Sequence, residues 1–498
     1  MMRISRGLLS LALATLSSIS WAQPEPISVG SKNFTEGYVL AEIMAQLLES
    51  RGIPVERQFG FGGTLVAFEA LRAGEIDVYA EYTGTISQAI LNTGSDLNDI
   101  QLSTALEPLG MEMLPALGFN NTYALAVTPE LAEQYNLRSV SDLAQQPQLR
   151  FGLSHEFRDR ADGWPGLREA YGLPQDSFGI EHGLAYPAMI EEEIDVTDAY
   201  STDGDLPRYG LVVLEDDRSY FPSYRALPLA RQDMNTTAKT ILTELAGLLD
   251  ESAMRALNAE VVVKERSFAE VAATFLAGQG LIASDRVATT GLWPSLADNT
   301  LVHLKLTGIA LLAACVAGLG LALLVYRSRR LSKAVLYVAG LLQTIPSIAL
   351  LALMIPLVGV GQTPAIIALF LYSLLPIARN AITALVTIDP LLRRVASALG
   401  LTHAQQLRHI LIPLALPHVL AGVRIAAVVS IGTATLAAFI GAGGLGEPIV
   451  TGLALNNSNL ILQGAIPAAL LALCTELLFE GIERWLVPRH LVAGRSTA

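Results

Sequence analysis

Two patterns of hydrophobic and polar positions divide the chain near residue 300. In the first part, short β-type runs alternate with helical patterns, at Ile27 to Gly30, Tyr38 to Ser50, Val55 to Phe59, Leu65 to Ala73 and Ile76 to Ala80. This alternation predicts a parallel sheet wrapped by helices. Similar groups follow around Arg150 to Leu153 and Ile194 to Tyr200. At nearly 280 residues, this part is long enough for an α/β fold of two lobes with a ligand cleft between them.

The second part contains long apolar runs, each suited to crossing a membrane. Leu306 to Tyr326 carries no charge over 21 residues, and four cationic residues follow within seven positions. Because cationic residues concentrate on the cytoplasmic side, this span runs from outside to inside. The other predicted spans are Ala334 to Val360, Gln362 to Ala378, Val419 to Ile440 and Leu460 to Ile482. Five spans predict a multi-pass inner-membrane protein whose N-terminal domain lies in the periplasm.

The charge distribution supports the same division. The chain has 498 residues, of which 52% are apolar, and its mean hydropathy is +0.44. Residues 301–498 hold 13 Lys+Arg and 5 Asp+Glu, which leaves 20 and 41 for residues 1–300. The first part is therefore acidic and suited to water, and the second is basic and suited to a bilayer. We expect no nucleic-acid partner.

The N-terminus has the pattern of a secretory signal. Two arginines precede the uncharged run Gly7 to Ile19, and Ser20-Trp21-Ala22 then gives a small-x-small cleavage pattern. An uncleaved anchor helix is the alternative, and with either one the following domain is exported. The predicted divisions are a signal at 1–22, an extracytoplasmic domain at 23–290, a linker at 291–305 and a transmembrane domain at 306–490.

A charged, proline-bounded segment at 389–417 separates two of the spans. The residues from Ala396 to Pro413 predict a short helix, a glycine stop and a second helix. A helix-turn-helix exposed between spans favours a docking surface over a solute path. The segment resembles the loop by which permeases of ABC importers engage their ATPase, with Gly400, Ile410 and Pro413 at the family's glycine, isoleucine and proline. Of the usual Glu-Ala-Ala triplet only Ala396 remains, because Arg and Val precede it.

No nucleotide site is expected in the chain itself. The run Gly441-Ala442-Gly443-Gly444-Leu445-Gly446 matches G-x-G-x-x-G, but it follows an apolar span and not a β-strand. It is similar to the glycine-rich stretch of the permeases, where glycines allow close helix approach. The sequence has no P-loop pattern, and its scattered histidines lack zinc-ligand spacing. We therefore predict no cofactor, no metal and no enzyme activity, and place ATP hydrolysis in a separate partner chain.

The exported domain has polar and aromatic motifs at strand ends and turns. The turn Gly30 to Glu36 joins the first strand to the first helix, where free backbone N–H groups and Lys32 suit a carboxylate. Further motifs are Glu81 to Thr85, Asn121 to Tyr123, Arg160 to Gly163, Ala199 to Gly204 and Phe221 to Tyr224. Ligand contacts in an α/β cleft come from such positions.

These motifs resemble those of the glycine betaine, choline and carnitine binding proteins of osmoprotectant uptake, over nearly all of residues 27–290. The resemblance implies the two-lobed fold of a type II periplasmic binding protein. It implies an aromatic box of four tyrosines, which are Tyr82, Tyr123, Tyr200 and Tyr224. It also implies a carboxylate clamp formed by Lys32, Thr85 and Arg160. Arg158 is an alternative to Arg160.

The resemblance implies an importer of a quaternary-ammonium solute such as glycine betaine. The lobes would close on the solute and dock on the membrane domain, and ATP binding by the partner ATPase would drive release. Two copies of the chain are expected to assemble, because five spans do not enclose a pathway. Carnitine, choline or ergothioneine is the alternative solute, and a membrane ligand sensor is the alternative class.

Overall fold

The structure is a computed structural model that describes residues 25–93, 97–283 and 292–487. Residues 25–283 form an N-terminal half of two lobes, and residues 292–487 form a C-terminal half of helices. The predicted signal at 1–22 lies outside the described residues. Its cleavage therefore stays a prediction.

Each lobe is built on a five-stranded sheet with helices packed against it. In lobe 1 the strand order is Val55–Phe61, Ile27–Lys32, Val78–Tyr82, Ala226–Arg231 and Met111–Met113. In lobe 2 the order is Ser177–Ile180, Phe151–Ser154, Val196–Tyr200, Tyr123–Val127 and Val212–Leu214. The two-lobed α/β fold expected from the alternating pattern is confirmed.

The strands of the first predicted group are parallel, as expected, but each sheet as a whole is mixed. Strand Ala226–Arg231 is antiparallel to both of its neighbours, and so is Tyr123–Val127. The chain crosses from one lobe to the other just before each of these strands, so each strand begins at the cleft. Strands that follow a helix within one lobe run the other way and end at the cleft. The two crossings pair through a bridge between Asn120 and Arg225. Local alternation predicts the strands but gives no sign of these crossings.

Helix Thr35–Ser50 forms the centre of lobe 1 and is buried on nearly every face. The sheet covers one side, and helices Thr236–Leu242, Glu251–Val262 and Phe268–Gly278 cover the other. Because apolar residues lie on most faces of this helix, it requires such an enclosure. Its first turn holds Glu36, which is thereby buried at the cleft.

The other α-helices of five or more residues in the lobes are Thr64–Ala73, Asp99–Leu106, Pro129–Tyr135, His155–Asp159, Trp164–Tyr171, His182–Ile190 and Asp205–Tyr209. Several begin at a capping side chain: Asn98, Thr128 and Ser154 each accept a hydrogen bond from the first turn. Ser154 both ends a strand and starts a helix, so it brings Glu156 and Arg160 to the mouth of the cleft.

The C-terminal half has four helices long and apolar enough to cross a membrane, or five spans if a bent pair counts as one. The four are Trp293–Val325, Gln362–Thr387, His403–Ile440 and Ser458–Leu486. The bent pair, Arg329–Thr344 and Ser347–Val358, turns by 96° in the predicted second span. Pro346 explains the break, because proline holds the preceding residue in an extended conformation and lacks the N–H of a helix.

The segment predicted as a linker, 291–305, is helical from its second residue onward. Helix Leu292–Val325 runs through it into the first span without a break. Pro294 lies in the first turn, where proline leaves the helix intact, and no glycine or proline follows before residue 306. The first span is therefore extended toward the lobes.

The helix-turn-helix expected within 389–417 is confirmed. Helix Pro390–Ala398 is terminated by Gly400, which lies two residues beyond its last residue and has a φ of +76° that favours glycine. Thr402 and Gln405 then form a capping box that starts the second helix. This second helix continues into the fourth span.

The glycine-rich run 441–446 allows backbone segments to approach closely, as expected. A Cβ at Gly446 would stand 1.9 Å from the carbonyl oxygen of Thr435, and one at Gly464 would stand 2.4 Å from that of Leu445. Larger residues at these two positions would collide with backbone. The run therefore holds the end of the fourth span against the start of the fifth.

The two halves of the chain are in direct contact. Tyr38 Oη of lobe 1 lies 3.0 Å from Thr451 Oγ1 in helix Glu447–Ala454. Lobe 2 meets the same helix at Gly183, where an added Cβ would stand 2.2 Å from the carbonyl oxygen of Ala454. One short helix of the C-terminal half thus touches both lobes.

Candidate functional site

A cavity of about 160 Å³ lies between the lobes. Its lining includes all seven residues that the sequence analysis gave as solute-binding candidates, namely Lys32, Tyr82, Thr85, Tyr123, Arg160, Tyr200 and Tyr224. Lys32 and Tyr82 end strands of lobe 1 and Tyr200 ends a strand of lobe 2, whereas Tyr123 begins the strand that enters lobe 2. The strand directions described above therefore bring these side chains to one place.

Aromatic rings form much of the cavity wall. The ring centroid of Tyr123 lies 5.2 Å from that of Tyr200 and 5.5 Å from that of Tyr224, with the latter pair nearly perpendicular at 88°. Phe34 connects the ring of Tyr82 to this group, because its ring centroid lies 6.4 Å from that of Tyr82 and 5.8 Å from that of Tyr200. Such edge and tilted contacts are favourable for aromatic pairs. The four tyrosines and Phe34 thus form one connected cluster.

Hydroxyl tethers fix the orientation of two rings. Tyr82 Oη donates to Glu36 Oε1 at 2.5 Å, and Tyr224 Oη donates to Asp162 Oδ2 at 2.7 Å. Both acceptors are buried. Because a buried carboxylate requires its donors, these bonds hold the two rings in place at the cavity.

The two cations of the predicted clamp lie against rings and are paired with carboxylates. Lys32 Nζ lies 4.8 Å from the ring centroid of Tyr82 and 2.7 Å from Glu81 Oε1. The guanidinium of Arg160 lies 5.6 Å from the ring centroid of Tyr123. Its partners are Asp162 and Glu156, the latter at 3.3 Å. Both cations are thus held at the cavity by buried or half-buried partners.

The two arginines left open by the sequence have different surroundings. Arg160 lines the cavity with a side chain only 10% exposed. Arg158 points elsewhere: its side chain is 38% exposed and pairs with Asp159 at 3.3 Å. The geometry therefore favours Arg160 as the cation that faces a ligand.

The sequence did not nominate several other residues that line the cavity. They are Asn33, Phe34, Gly62, Gly63, Thr64, Asn121, Ser154, His155, Glu156, Glu181, His182 and Phe439. Phe34 had a signal, since it lies in the same strand-to-helix turn as Lys32. His182 and Glu181 also follow a strand end, but a single histidine beside a glutamate gives no specific pattern.

His182 adds a positive charge to the cavity. Its Nε2 lies 3.0 Å from Asp203 Oδ2, and its Nδ1 lies 3.9 Å from Asp198 Oδ2. Burial disfavours the charged ring, but the two carboxylates outweigh it and raise the pKa of His182 to about 9. The imidazolium ring lies 4.9 Å from the ring of Tyr200 between centroids.

Glu156, which also belongs to lobe 2, supplies a negative charge to the cavity. Burial opposes its ionisation, but Arg160 and Lys32 hold the pKa of Glu156 below its ordinary value. Its carboxylate also accepts a hydrogen bond from Thr64 Oγ1 of lobe 1 at 2.6 Å. The cavity thus presents charges of both signs, which suits a zwitterion.

A second buried carboxylate, Glu36, connects the lobes behind the rings. Besides Tyr82, it accepts hydrogen bonds from Asn121 Nδ2 at 3.0 Å, Asn258 Nδ2 at 3.1 Å and Thr202 Oγ1. Burial raises the pKa of Glu36, although these bonds favour its carboxylate form. Thr202 belongs to lobe 2, so Glu36 ties that lobe to lobe 1.

The charge on His182 makes stability depend on pH. Its pKa in the folded chain, about 9, is above the ordinary value of 6.5. The stabilisation is therefore fully present below about pH 6.5 and is lost as the pH rises through about 9. We expect the wild-type chain to lose about 2–3 kcal/mol of unfolding free energy across this window relative to His182→Gln.

Urea unfolding of both chains at pH 6 and pH 9.5 measures this difference. Groups other than His182 titrate in both proteins and cancel in the comparison. Equal losses in the two chains would show that the charged ring does not stabilise the fold.

Comparison with known proteins explains this arrangement. Residues 25–278, just over half of the 498, match the family described as the substrate binding domain of ABC-type glycine betaine transport systems. The chain belongs to this family. Residues 311–491 match the binding-protein-dependent transport system inner membrane component. The chain is therefore a substrate-binding domain fused to a membrane-integral permease domain, and the family expected from the sequence is confirmed.

Each of the following relatives matches part of the chain. The glycine-betaine-binding protein of Pseudomonas aeruginosa is 35% identical over 312 residues, which are 58% of this chain and 99% of that protein. The ergothioneine transport permease/ergothioneine binding protein of Helicobacter pylori is 33% identical over 297 residues, which are 56% of this chain and 53% of that protein. A glycine betaine/carnitine/choline permease protein of Bacillus subtilis is 42% identical over 202 residues, 39% of this chain and 88% of that protein.

Some solved structures are similar to about half of the chain. A crystal structure of a glycine betaine/carnitine/choline ABC transporter is 29% identical, with a TM-score of 0.44, and covers 51% of this chain and 99% of that one. A crystal structure of a lactococcal binding protein complexed with glycine betaine is 14% identical, with a TM-score of 0.41.

Proposed function

We propose that the chain is the solute-binding and membrane-spanning subunit of an ATP-driven importer for a small quaternary-ammonium zwitterion such as glycine betaine. The observation that carries this proposal is the single cavity in which five aromatic rings meet paired charges of both signs. Captured solute would pass to the C-terminal half of the same chain, which touches both lobes.

Aromatic faces suit a quaternary ammonium because this group has no N–H to donate. A cation near a tyrosine face is stabilised by about 0.5–2 kcal/mol through the ring quadrupole. Tyr123, Tyr200 and Tyr224 would enclose the methylated nitrogen, with Tyr82 completing the box. An ordinary primary amine would lose hydrogen bonds with water and gain few in return.

The solute carboxylate would lie against Lys32, Thr85 and Arg160. Charge-assisted hydrogen bonds from such cations are about twice as strong as neutral ones. Lys32 and Arg160 already have carboxylate partners, so a zwitterion adds both signs of charge and leaves the balance unchanged. Choline would add only its cation, and its site would then contain an unbalanced positive charge.

The predicted docking segment fits an ATPase partner. Its first helix, Pro390–Ala398, exposes Leu391, Leu392 and Val395, and Leu399 follows with 74% of its surface exposed. Contiguous exposed apolar side chains mark interaction surfaces. Together with Gly400, Ile410 and Pro413 they would bind the ATPase on the cytoplasmic side of the inner membrane. Ala396, which the sequence also placed on this surface, is buried at 1% exposure, so it would support the surface from beneath and not contact the ATPase. Two copies of the chain would assemble with two ATPase subunits, and the N-terminal half would face the periplasm.

Ergothioneine is the second candidate solute. The curated relative from Helicobacter pylori that carries this name also combines binding and permease functions. Ergothioneine is itself a betaine with an additional imidazole ring. Glu156, Glu181 and His182 give the cavity more polar lining than a trimethylammonium group alone needs.

Uptake of solute into proteoliposomes tests whether the chain is part of an importer or a membrane ligand sensor. The chain is reconstituted with its ATPase partner, and labelled glycine betaine or ergothioneine is supplied on the side of the N-terminal half. The importer predicts accumulation of one of them that requires ATP hydrolysis. Binding without ATP-dependent accumulation would instead favour the membrane ligand sensor.

Docking between the halves leads to a separate prediction at Gly183. In Gly183→Ala the new Cβ would stand 2.2 Å from the carbonyl oxygen of Ala454, so lobe 2 and the permease must separate. Overpacking of this kind costs about 1–3 kcal/mol, and we expect uptake to fall roughly tenfold. Gly278→Ala is the matched control, because nothing lies within 4 Å of its new Cβ. Equal uptake rates of the two variants would contradict the docked arrangement.

A further inference from the structure

A short helical turn at the end of the fourth span, Thr435–Ile440, packs against lobe 1. The carbonyl oxygen of Phe439 lies 3.1 Å from the place that a Cβ on Gly62 would take. A Cβ on Gly441 would stand 2.2 Å from the ring of Phe61, which ends a strand of lobe 1. The absence of side-chain atoms at these two glycines is therefore what allows the turn to reach the cleft.

Phe439 reaches the cavity itself. Among the described residues that line the cavity, it alone comes from the C-terminal half. Its neighbours in the lining are Gly62, Gly63 and Thr64, which follow the strand that ends at Phe61. The membrane domain thus contributes directly to the space in which a solute would lie.

The two lobes are joined next to the same place. Thr64 Oγ1 of lobe 1 donates to Glu156 Oε1 of lobe 2 at 2.6 Å. Glu156 in turn pairs with Arg160 at 3.3 Å, the cation nominated for the solute carboxylate. The loop 62–64 is therefore a junction where lobe 1, lobe 2 and the membrane domain meet.

We propose that Phe439 completes the wall of the solute cavity when the lobes are docked, and that it limits the size of the solute that the docked chain retains. The identity of the solute as a betaine rests on the proposed function. The position of Phe439 in the cavity wall does not. In this proposal the residue at position 439 shortens the cavity on the side of Gly62, Gly63 and Thr64, so it favours compact betaines over longer ones.

The test measures selectivity in the full chain. Calorimetric titration in nanodiscs gives the ratio of carnitine affinity to glycine betaine affinity for the wild type, Phe439→Ala and Phe439→Leu. We expect Phe439→Ala to raise this ratio about tenfold, as expected when a pocket gains room for extra methylene groups. Phe439→Leu retains most of the bulk and is expected to change the ratio less.

Leu436→Ala is the matched control. Leu436 lies on the same turn but packs into the core of the C-terminal half with residues such as Ala434 and Ile440. Its truncation should leave the affinity ratio unchanged. If Phe439→Ala leaves the ratio as unchanged as Leu436→Ala does, the proposed size limit is wrong.

A thiol crosslink tests the position of Phe439 without any solute. Thr64→Cys and Phe439→Cys are combined in a chain whose Cys315 and Cys474 are replaced by alanine, and membranes are treated with a short bifunctional thiol reagent. We expect a crosslink between the halves, visible after cleavage at an engineered protease site between them. Failure to crosslink would overturn the proposal even where Phe439→Ala does not fold. A crosslink without binding of any betaine would overturn the proposed function and leave the position of Phe439 intact.

Discussion

Replacing Glu36 with alanine is expected to destabilise the N-terminal half by about 3–5 kcal/mol. The carboxylate accepts hydrogen bonds from Tyr82, Asn121, Thr202 and Asn258, and all of these partners are buried. Alanine leaves the donors of Tyr82, Asn121 and Thr202 without this acceptor in a place that water reaches poorly. Asn258 keeps only its bond to the carbonyl oxygen of Thr202. Urea unfolding of the full chain in detergent, followed by tryptophan fluorescence, measures the loss.

Glu49→Ala is the matched control for this prediction. Glu49 lies on the same helix but is exposed, and its ion pair with Arg57 is at the surface. Such pairs contribute about 0–1 kcal/mol. If Glu36→Ala and Glu49→Ala unfold at the same urea concentration, the buried network does not stabilise the lobes.

Replacing Arg160 with alanine is expected to weaken betaine binding by about 2–4 kcal/mol, or roughly 30- to 1,000-fold. The substitution removes a donor to the solute carboxylate and leaves Glu156 and Asp162 without their cation. These two carboxylates would then repel the carboxylate of the solute. Calorimetric titration of the full chain with glycine betaine measures the change.

Arg158→Ala is the control that separates the effect of direct contact by Arg160 from the effect of losing one positive charge. It removes the same charge two residues away, from a side chain that is 38% exposed and paired with Asp159. We expect its affinity to stay within about twofold of the wild type, since exposed pairs contribute little. Comparable losses in the two variants would mean that overall charge, and not contact by Arg160, governs binding.

The sequence predicts the parts of this architecture that depend on local pattern. Alternating runs predict the strands that end at Lys32 and Tyr82, and charge-free runs followed by arginines predict the first span. The seven nominated residues meet at one cavity because each lies at a strand end or turn, where an α/β fold directs side chains into its cleft. That they bind a betaine stays a prediction.

Features that depend on distant parts of the chain could not be predicted in this way. Strand Ala226–Arg231 enters lobe 1 after the chain has passed through lobe 2, and its antiparallel pairing has no local signal. Phe439 is more than 350 residues from Gly62 along the chain, and its apolar surroundings are typical of any span. The bend at Pro346 had a local signal, but proline is common in membrane helices and does not by itself indicate a break.

The most direct test of the central claim is calorimetric titration of the full chain in nanodiscs with glycine betaine, carnitine, choline and ergothioneine. A Tyr200→Leu variant, which keeps bulk but removes one aromatic face from the cavity, is titrated alongside. The account predicts micromolar or tighter binding of at least one betaine, weaker binding of choline, and a loss of roughly 2- to 30-fold in the variant. Binding of none of the four to the folded chain would contradict the recognition of a quaternary-ammonium zwitterion.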